Sequence, residues 1–159
     1  MLKLRAAALM LLCLAVPDAR AQSDAEHTLD AVFHLFDEDN DGVITDAEAN
    51  RYIDKTFKEM DGNGDGKITA ADFRNFSFGL ADVAAAEGKS DSYEKAKDAI
   101  FKRWDKRGAG ALTLDDYRAG VLADAAAAQR GGARPQQGRF DIRTFKRAPF
   151  IKEIMKSLR

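Results

Sequence analysis

The twelve residues Asp37-Glu38-Asp39-Asn40-Asp41-Gly42-Val43-Ile44-Thr45-Asp46-Ala47-Glu48 carry side chains suited to one task, the holding of a hard divalent cation. Asp37, Asp39 and Asp41 stand at positions 1, 3 and 5 of the run, so alternate carboxylates converge on one point. Gly42 at position 6 permits a sharp turn that a Cβ would oppose. Val43 at position 7 offers its backbone carbonyl, which leaves its side chain free to vary. Thr45 at position 9 can ligate directly or through a water, and Glu48 at position 12 is long enough to return and clamp with both oxygens. Ca²⁺ takes six to eight oxygens at about 2.3–2.6 Å. A solvated acidic turn would require none of these six constraints.

A second run, Asp61 to Asp72, repeats the pattern with Asp61, Asn63 and Asp65 at positions 1, 3 and 5, Gly66 at 6, the carbonyl of Lys67 at 7 and Thr69 at 9. It departs at position 12, where Asp72 is one methylene shorter than Glu48. A shorter arm tends to offer one oxygen where glutamate offers two, which weakens Ca²⁺ and makes octahedral Mg²⁺ a better competitor. Two Ca²⁺ sites are therefore expected, with Mg²⁺ competing at the second.

Two further runs keep the shape and lose the ligands. Asp105–Asp116 retains Asp105, Gly110, Leu112, Thr113 and Asp116 but places Arg107 at position 3 and Ala109 at position 5. A cation at a ligand position repels Ca²⁺, so a metal-free loop is expected, with Arg107 pairing Asp105 and Asp116. The fourth run rests on Gly138 at position 6 and Phe140 at position 8. Ala133, Pro135 and Gln137 at its ligand positions cannot hold calcium, and the residues leave open whether this is a degenerate loop or an unrelated one.

The segment Ala31–Thr45, AVFHLFDEDNDGVIT, resembles a calmodulin-family EF-hand, including the aromatic residues just before the loop. Ile44 and Ile68 occupy the position at which paired EF loops form a short β-bridge. The 24-residue spacing of the first two loops is more similar to the short-spaced hands of exported bacterial EF-hand proteins than to calmodulin. The resemblance implies an all-α fold of helix-loop-helix pairs.

Positioning such loops requires helices, and apolar residues recur at helical spacing around each one. Leu29, Val32, Phe33 and Phe36 mark one helix, and Ile53, Phe57 and Met60 a second. Only Ala49–Met60 separates the first two loops, so one helix must serve both hands, which puts a bridge between them in doubt. Phe73, Phe76 and Val83 predict a third helix from about Ala70 to Glu87, stopped by Gly88. Ile100, Phe101 and Trp104 predict a fourth, capped by Ser90 or Ser92. The Ala123–Ala128 run extends a helix, and residues 131–138 read as a linker. The expected organisation is a leader at 1–21, a calcium-binding pair at 22–88 and a degenerate pair at 89–159.

Residues 1–21 read as a secretory signal peptide: Lys3 and Arg5, an apolar run from Ala6 to Val16, then Ala19-Arg20-Ala21 before Gln22. A secreted or periplasmic location is expected. Cleavage would remove Cys13, the only cysteine, and with it thiol chemistry. Charge is divided unevenly. From Arg130 onward there are nine Lys or Arg and two acids, against an overall net charge of −1. Pro149 opens an amphipathic segment in which Phe150, Ile151, Ile154, Met155 and Leu158 form an apolar stripe and Lys152, Lys156 and Arg159 lie off it. The favoured reading is a closing helix packed on Phe101 and Trp104. The alternatives are an intramolecular latch against the acidic half and a membrane contact.

No catalytic constellation is present: the histidines are His27 and His34, and no Gly-x-Ser-x-Gly or phosphate loop occurs. The tail lacks aromatics interleaved for stacking on nucleic acid. The expected function is thus non-enzymatic calcium binding, as a sensor or a buffer, with a protein target as a possible partner. The other class is a dockerin-like docking module in which calcium stabilises the fold, since the loop ending in Asp72 resembles dockerin loops.

Overall fold

The computed structural model of the chain describes residues 19–130 and 139–159. Among the described residues eight helices and four three-residue strands follow in the order α1 (Ala19–Phe36), β1 (Val43–Thr45), α2 (Asp46–Met60), β2 (Lys67–Thr69), α3 (Ala70–Asn75), α4 (Ala81–Ala86), α5 (Ser90–Trp104), β3 (Ala111–Thr113), α6 (Leu114–Arg130), β4 (Arg139–Asp141), α7 (Ile142–Phe145) and α8 (Pro149–Ser157). The protein is all-α apart from these short strands. Most of the leader assigned to residues 1–21 and all of the linker at 131–138 lie outside the described residues.

Helix starts are set locally. Thr45 caps α2 and Thr69 caps α3, each in a reciprocal arrangement with the residue three positions on, Glu48 and Asp72 respectively. The predicted single helix from Ala70 to Glu87 is two helices. Phe76 is extended after α3, and Gly79 turns through φ +80° before α4. A Cβ on Gly79 would stand 2.9 Å from Val32 Cγ2, so close approach to α1 joins backbone conformation in requiring glycine there. Helix α5 likewise differs from expectation at its start. Lys89 is the capping residue, Ser90 is already helical, and no side chain caps the end.

The strands decide which loops belong together. β1 pairs antiparallel with β4, placing Ile44 opposite Phe140, and β2 pairs with β3, placing Ile68 opposite Leu112. The chain-order grouping into one complete and one degenerate pair is therefore corrected: each bridge joins a loop with a complete ligand set to a degenerate one. The reason is α2. Fifteen helical residues at about 1.5 Å each put the first two loops at opposite ends of a rod about 22 Å long, so their strands cannot meet. The same bridge places Phe140 of the fourth run opposite Ile44, as in a paired hand, while positions 1–6 of that run lie outside the described residues.

Two apolar cores follow from this pairing. One gathers Ile53, Phe57, Ile68, Phe73, Ile100 and Leu112 with Trp104 and Tyr117; the other gathers Leu29, Phe33, Phe36, Ile44, Phe140 and Phe145. Helix α2 crosses between them, with Ala49 in the second core and Ile53, Phe57 and Met60 in the first. Helix α8 does the same, with Ile151 in the second core and Ile154 in the first, where Leu158 just past the helix end joins it. Burying a side chain of this size stabilises by about 1.5–3 kcal/mol. Helices α1 and α6 are shared as well, through Ala25 and Tyr117 in the first core and Phe33 and Ala128 in the second, so each core's integrity depends on the other. A buried hydrogen bond of 3.0 Å between Thr56 Oγ1 and Tyr117 Oη ties α2 to α6 as well.

Candidate metal centre

The first loop, Asp37–Glu48, leaves α1 and enters α2. Asp37 is fully buried and Glu48 is 2% exposed. Buried carboxylates are costly unless hydrogen-bonded or paired with a cation. Asp37 Oδ1 accepts from Asp41 N–H at 3.1 Å and Oδ2 from Gly42 N–H at 3.0 Å. Gly42 reaches this arrangement at φ +83°. Glu48 Oε2 accepts from Thr45 N–H and Oγ1 at 2.8 and 2.7 Å, while Oε1 reaches across the loop to Glu38 N–H at 2.9 Å. The side chain at position 12 thus closes the ring back to position 2. These bonds, those from Thr45 foremost, hold the Glu48 carboxyl below the usual glutamate range.

One oxygen from each of Asp37, Asp39 and Glu48 can be chosen so that all lie within 4.8 Å of one another. At that separation two carboxylates repel by about 3 kcal/mol at an effective dielectric constant near 20. An oxygen-only donor set, partly buried and mutually repulsive, fits a hard divalent cation.

Asp41 is not part of that group. Its Oδ1 accepts from Val43 N–H at 2.8 Å, and its Oδ2 lies 3.5 Å from Arg139 Nη2. Val43 itself begins β1, opposite Asp141. His34 is mostly exposed, with Nδ1 3.9 Å from Asp37 Oδ2.

The second loop has the same internal scaffold. Asp61 accepts from Asp65 N–H at 3.1 Å and Gly66 N–H at 2.9 Å, and Asp65 Oδ1 accepts from Lys67 N–H at 2.9 Å. Asn63 stands beside Asp65, its Nδ2 donating to Asp65 Oδ2 at 3.2 Å. Asp72 differs from Glu48 as its length dictates. Oδ2 accepts from Thr69 N–H and Oγ1 at 2.8 and 2.7 Å, and these bonds lower its pKa. Among the described residues it makes no bond across the loop, and Asp61, Asp65 and Asp72 are not gathered as the first loop's carboxylates are.

The third loop, Asp105–Asp116, shows what the backbone does without ligands. Asp105 accepts from Ala109 and Gly110 N–H at 2.9 and 2.8 Å, matching Asp37 and Asp61 bond for bond. Arg107 pairs with Asp116, as expected, but not with Asp105, whose oxygens the backbone already occupies. The same backbone arrangement thus recurs in all three loops, built on the carboxylate at position 1 and left-handed residues at positions 4 and 6.

Two models of the EF-hand domain pair match the chain, one over residues 50–122 and one over 22–48. The longer match spans both loops joined by the β2–β3 bridge; the shorter covers α1 and the first loop as far as Glu48. The chain has the EF-hand fold. The matches support a place in an EF-hand calcium-binding family, and Ca²⁺ as the ligand. No curated protein and no solved structure matches the chain.

Within the EF-hand frame, Arg139 is the residue that reasoning from the sequence missed. Its contact with Asp41 depends on which strand pairs with β1. The signal that could have found it was the length of α2, which already prevents the first loop from pairing with the second.

Proposed function

We propose that this chain is an exported calcium sensor that binds one Ca²⁺ in each of the loops Asp37–Glu48 and Asp61–Asp72. The observation that carries the reading is the joining of Glu48 to Glu38 across the first loop, beside Asp37 and Asp39. Ligands are drawn from Asp37, Asp39, Asp41, the Val43 carbonyl and Glu48 in the first loop. In the second they are Asp61, Asn63, Asp65, the Lys67 carbonyl and Asp72. Export rests on the leader-like residues 1–21.

A sensor is favoured over a buffer by the route from loop to tail. β1 is bridged to β4, β4 runs into α7, and α8 follows with apolar residues in both cores. A cation that tightens the first loop acts on the strand that anchors the tail. In this reading α8 is the intramolecular occupant of the surface that a protein target would take.

Isothermal titration of chelator-stripped protein with CaCl₂ tests the assignment, with two binding events expected. One event, three or more, or none overturns it. Mg²⁺ in competition should weaken the second loop's Ca²⁺ binding more than the first's. For the sensor role, Ca²⁺ should increase binding of a hydrophobic dye; an unchanged signal indicates a buffer.

A further inference from the structure

The first loop has a cationic neighbour across its bridge that the second lacks. Arg139 lies opposite Thr45 in the β1–β4 register, and its Nη2 is 3.5 Å from Asp41 Oδ2. Because Asp41 Oδ1 is taken by Val43 N–H, the guanidinium faces the oxygen left for a metal. A second observation agrees with the first. The close group of carboxylates comprises Asp37, Asp39 and Glu48 and leaves out Asp41. The other bridge supplies an internal control. Opposite Thr69 stands Ala111, so no cation reaches Asp65 from that position.

We propose that Arg139 is a built-in competitor for Asp41, by which the degenerate fourth hand sets the calcium affinity of the first loop. The proposal rests on the reading of that loop as a calcium site. A Ca²⁺ ion held by the loop would call on the Asp41 carboxylate, and Arg139 would have to release it. Binding then exchanges one ion pair for another and leaves a guanidinium near a divalent ion. The side chains of Arg139 and Asp41 are 53% and 43% exposed, so water screens the pair. Screened pairs of this kind correspond to a factor of about two to five in an equilibrium constant. Arg139 thereby offsets part of the advantage that Glu48 gives the first loop over the second. It also makes that loop's affinity depend on an intact β1–β4 bridge.

Calcium titration of the full chain by NMR tests this. The Gly42 and Gly66 amides donate to Asp37 and Asp61 and so report the two loops separately. Arg139→Ala should raise the first loop's affinity about two- to fivefold and leave the second's unchanged. Arg139→Lys should stay near wild type, and Arg139→Gln repeats the alanine comparison should the latter disturb the fourth hand. Ala111→Arg should transplant the competitor and lower the second loop's affinity. The gain from Arg139→Ala should shrink as salt approaches 1 M, where the Debye length is about 3 Å. If removing the charge leaves the first loop's affinity unchanged or lower, the proposal fails while the calcium assignment stands. No response of Gly42 to Ca²⁺ in the wild type overturns both.

Discussion

Ile44 and Phe140 face each other across the β1–β4 bridge, so the first hand of the chain is completed by its last. The residues opposite each other belong to one core, whereas Ile68, at the equivalent position of the neighbouring loop in sequence, lies in the other core with Leu112. The hands nest, outer with outer and inner with inner. This arrangement makes stability measurements sensitive to which residues are partners.

Ile44→Val and Phe140→Leu should therefore couple. Residues in contact show interaction energies of about 0.5–3 kcal/mol in a double-mutant cycle, while distant pairs add to within about 0.5 kcal/mol. Urea unfolding of the two single variants and the double should give a non-zero coupling. Ile44→Val combined with Ile68→Val should be additive. Coupling in the second cycle and none in the first would restore the chain-order grouping.

Gly120→Ala should destabilise the protein by about 1–3 kcal/mol, although alanine favours helices. Gly120 is buried in α6. A Cβ there would stand 2.4 Å from Trp104 Cγ, and the indole is itself enclosed by Phe73, Tyr117 and Phe150. Thermal unfolding followed by tryptophan fluorescence measures both the loss and the displaced ring. A variant as stable as wild type would show that the ring has room to move.

The capping carboxylate of α7 gives a pH signature. The hydroxyl and backbone N–H of Thr144 hold Asp141 below the usual aspartate range. Its folded pKa is lowered, so its stabilisation is complete above the unfolded value of about 3.9 and is lost as pH falls through the folded one. Asp141→Ala should cost about 0.5–2 kcal/mol at pH 7. The difference from wild type should hold down to about pH 4 and narrow below it. Urea melts at pH 7, 5, 4 and 2 in chelator decide the matter. A gap that narrows between pH 7 and 5 would point to another group.

The parts of this molecule legible in its sequence were those governed by neighbours along the chain. The apolar residue at position 8, two places after glycine, identified Ile44, Ile68, Leu112 and Phe140, and every one sits in a bridge. The gap from Ala49 to Met60 was too short for two helices, and α2 is one. Long-range pairing left weaker marks. Gly79 is an isolated glycine in a helical pattern, and its need to pass Val32 depends on where α1 lies. Arg139 carried no motif, because its partner Asp41 is reached only through the strand register. Ser90 and Ser92 were suitable capping residues by type, yet α5 starts from Lys89 without them, where α4 ends close by at Ala86.

Glu48→Gln should harm Ca²⁺ binding at the first loop more than Asp72→Asn harms it at the second. Both substitutions remove one negative charge, so a charge count alone would predict equal losses. Geometry separates them. Glu48 is buried, uses both oxygens and spans the loop to Glu38, whereas Asp72 is part-exposed and bonds only to Thr69 on its own side. Exchanging the Glu48 carboxylate for an amide replaces Oε1 or Oε2 by a donor that cannot ligate, at a position where solvent cannot substitute. At Asp72 a water can take up the lost contact. Each variant keeps a side chain able to accept from the capping threonine, so the helices should persist and the comparison should report on metal. Following the Gly42 and Gly66 amides through a Ca²⁺ titration gives the two losses in one experiment per variant. Equal losses would mean that Asp72 closes its loop as fully as Glu48 does once the ion is bound. Asp72→Glu is the converse change: it should raise the second loop's preference for Ca²⁺ over Mg²⁺, since the longer arm restores a second oxygen.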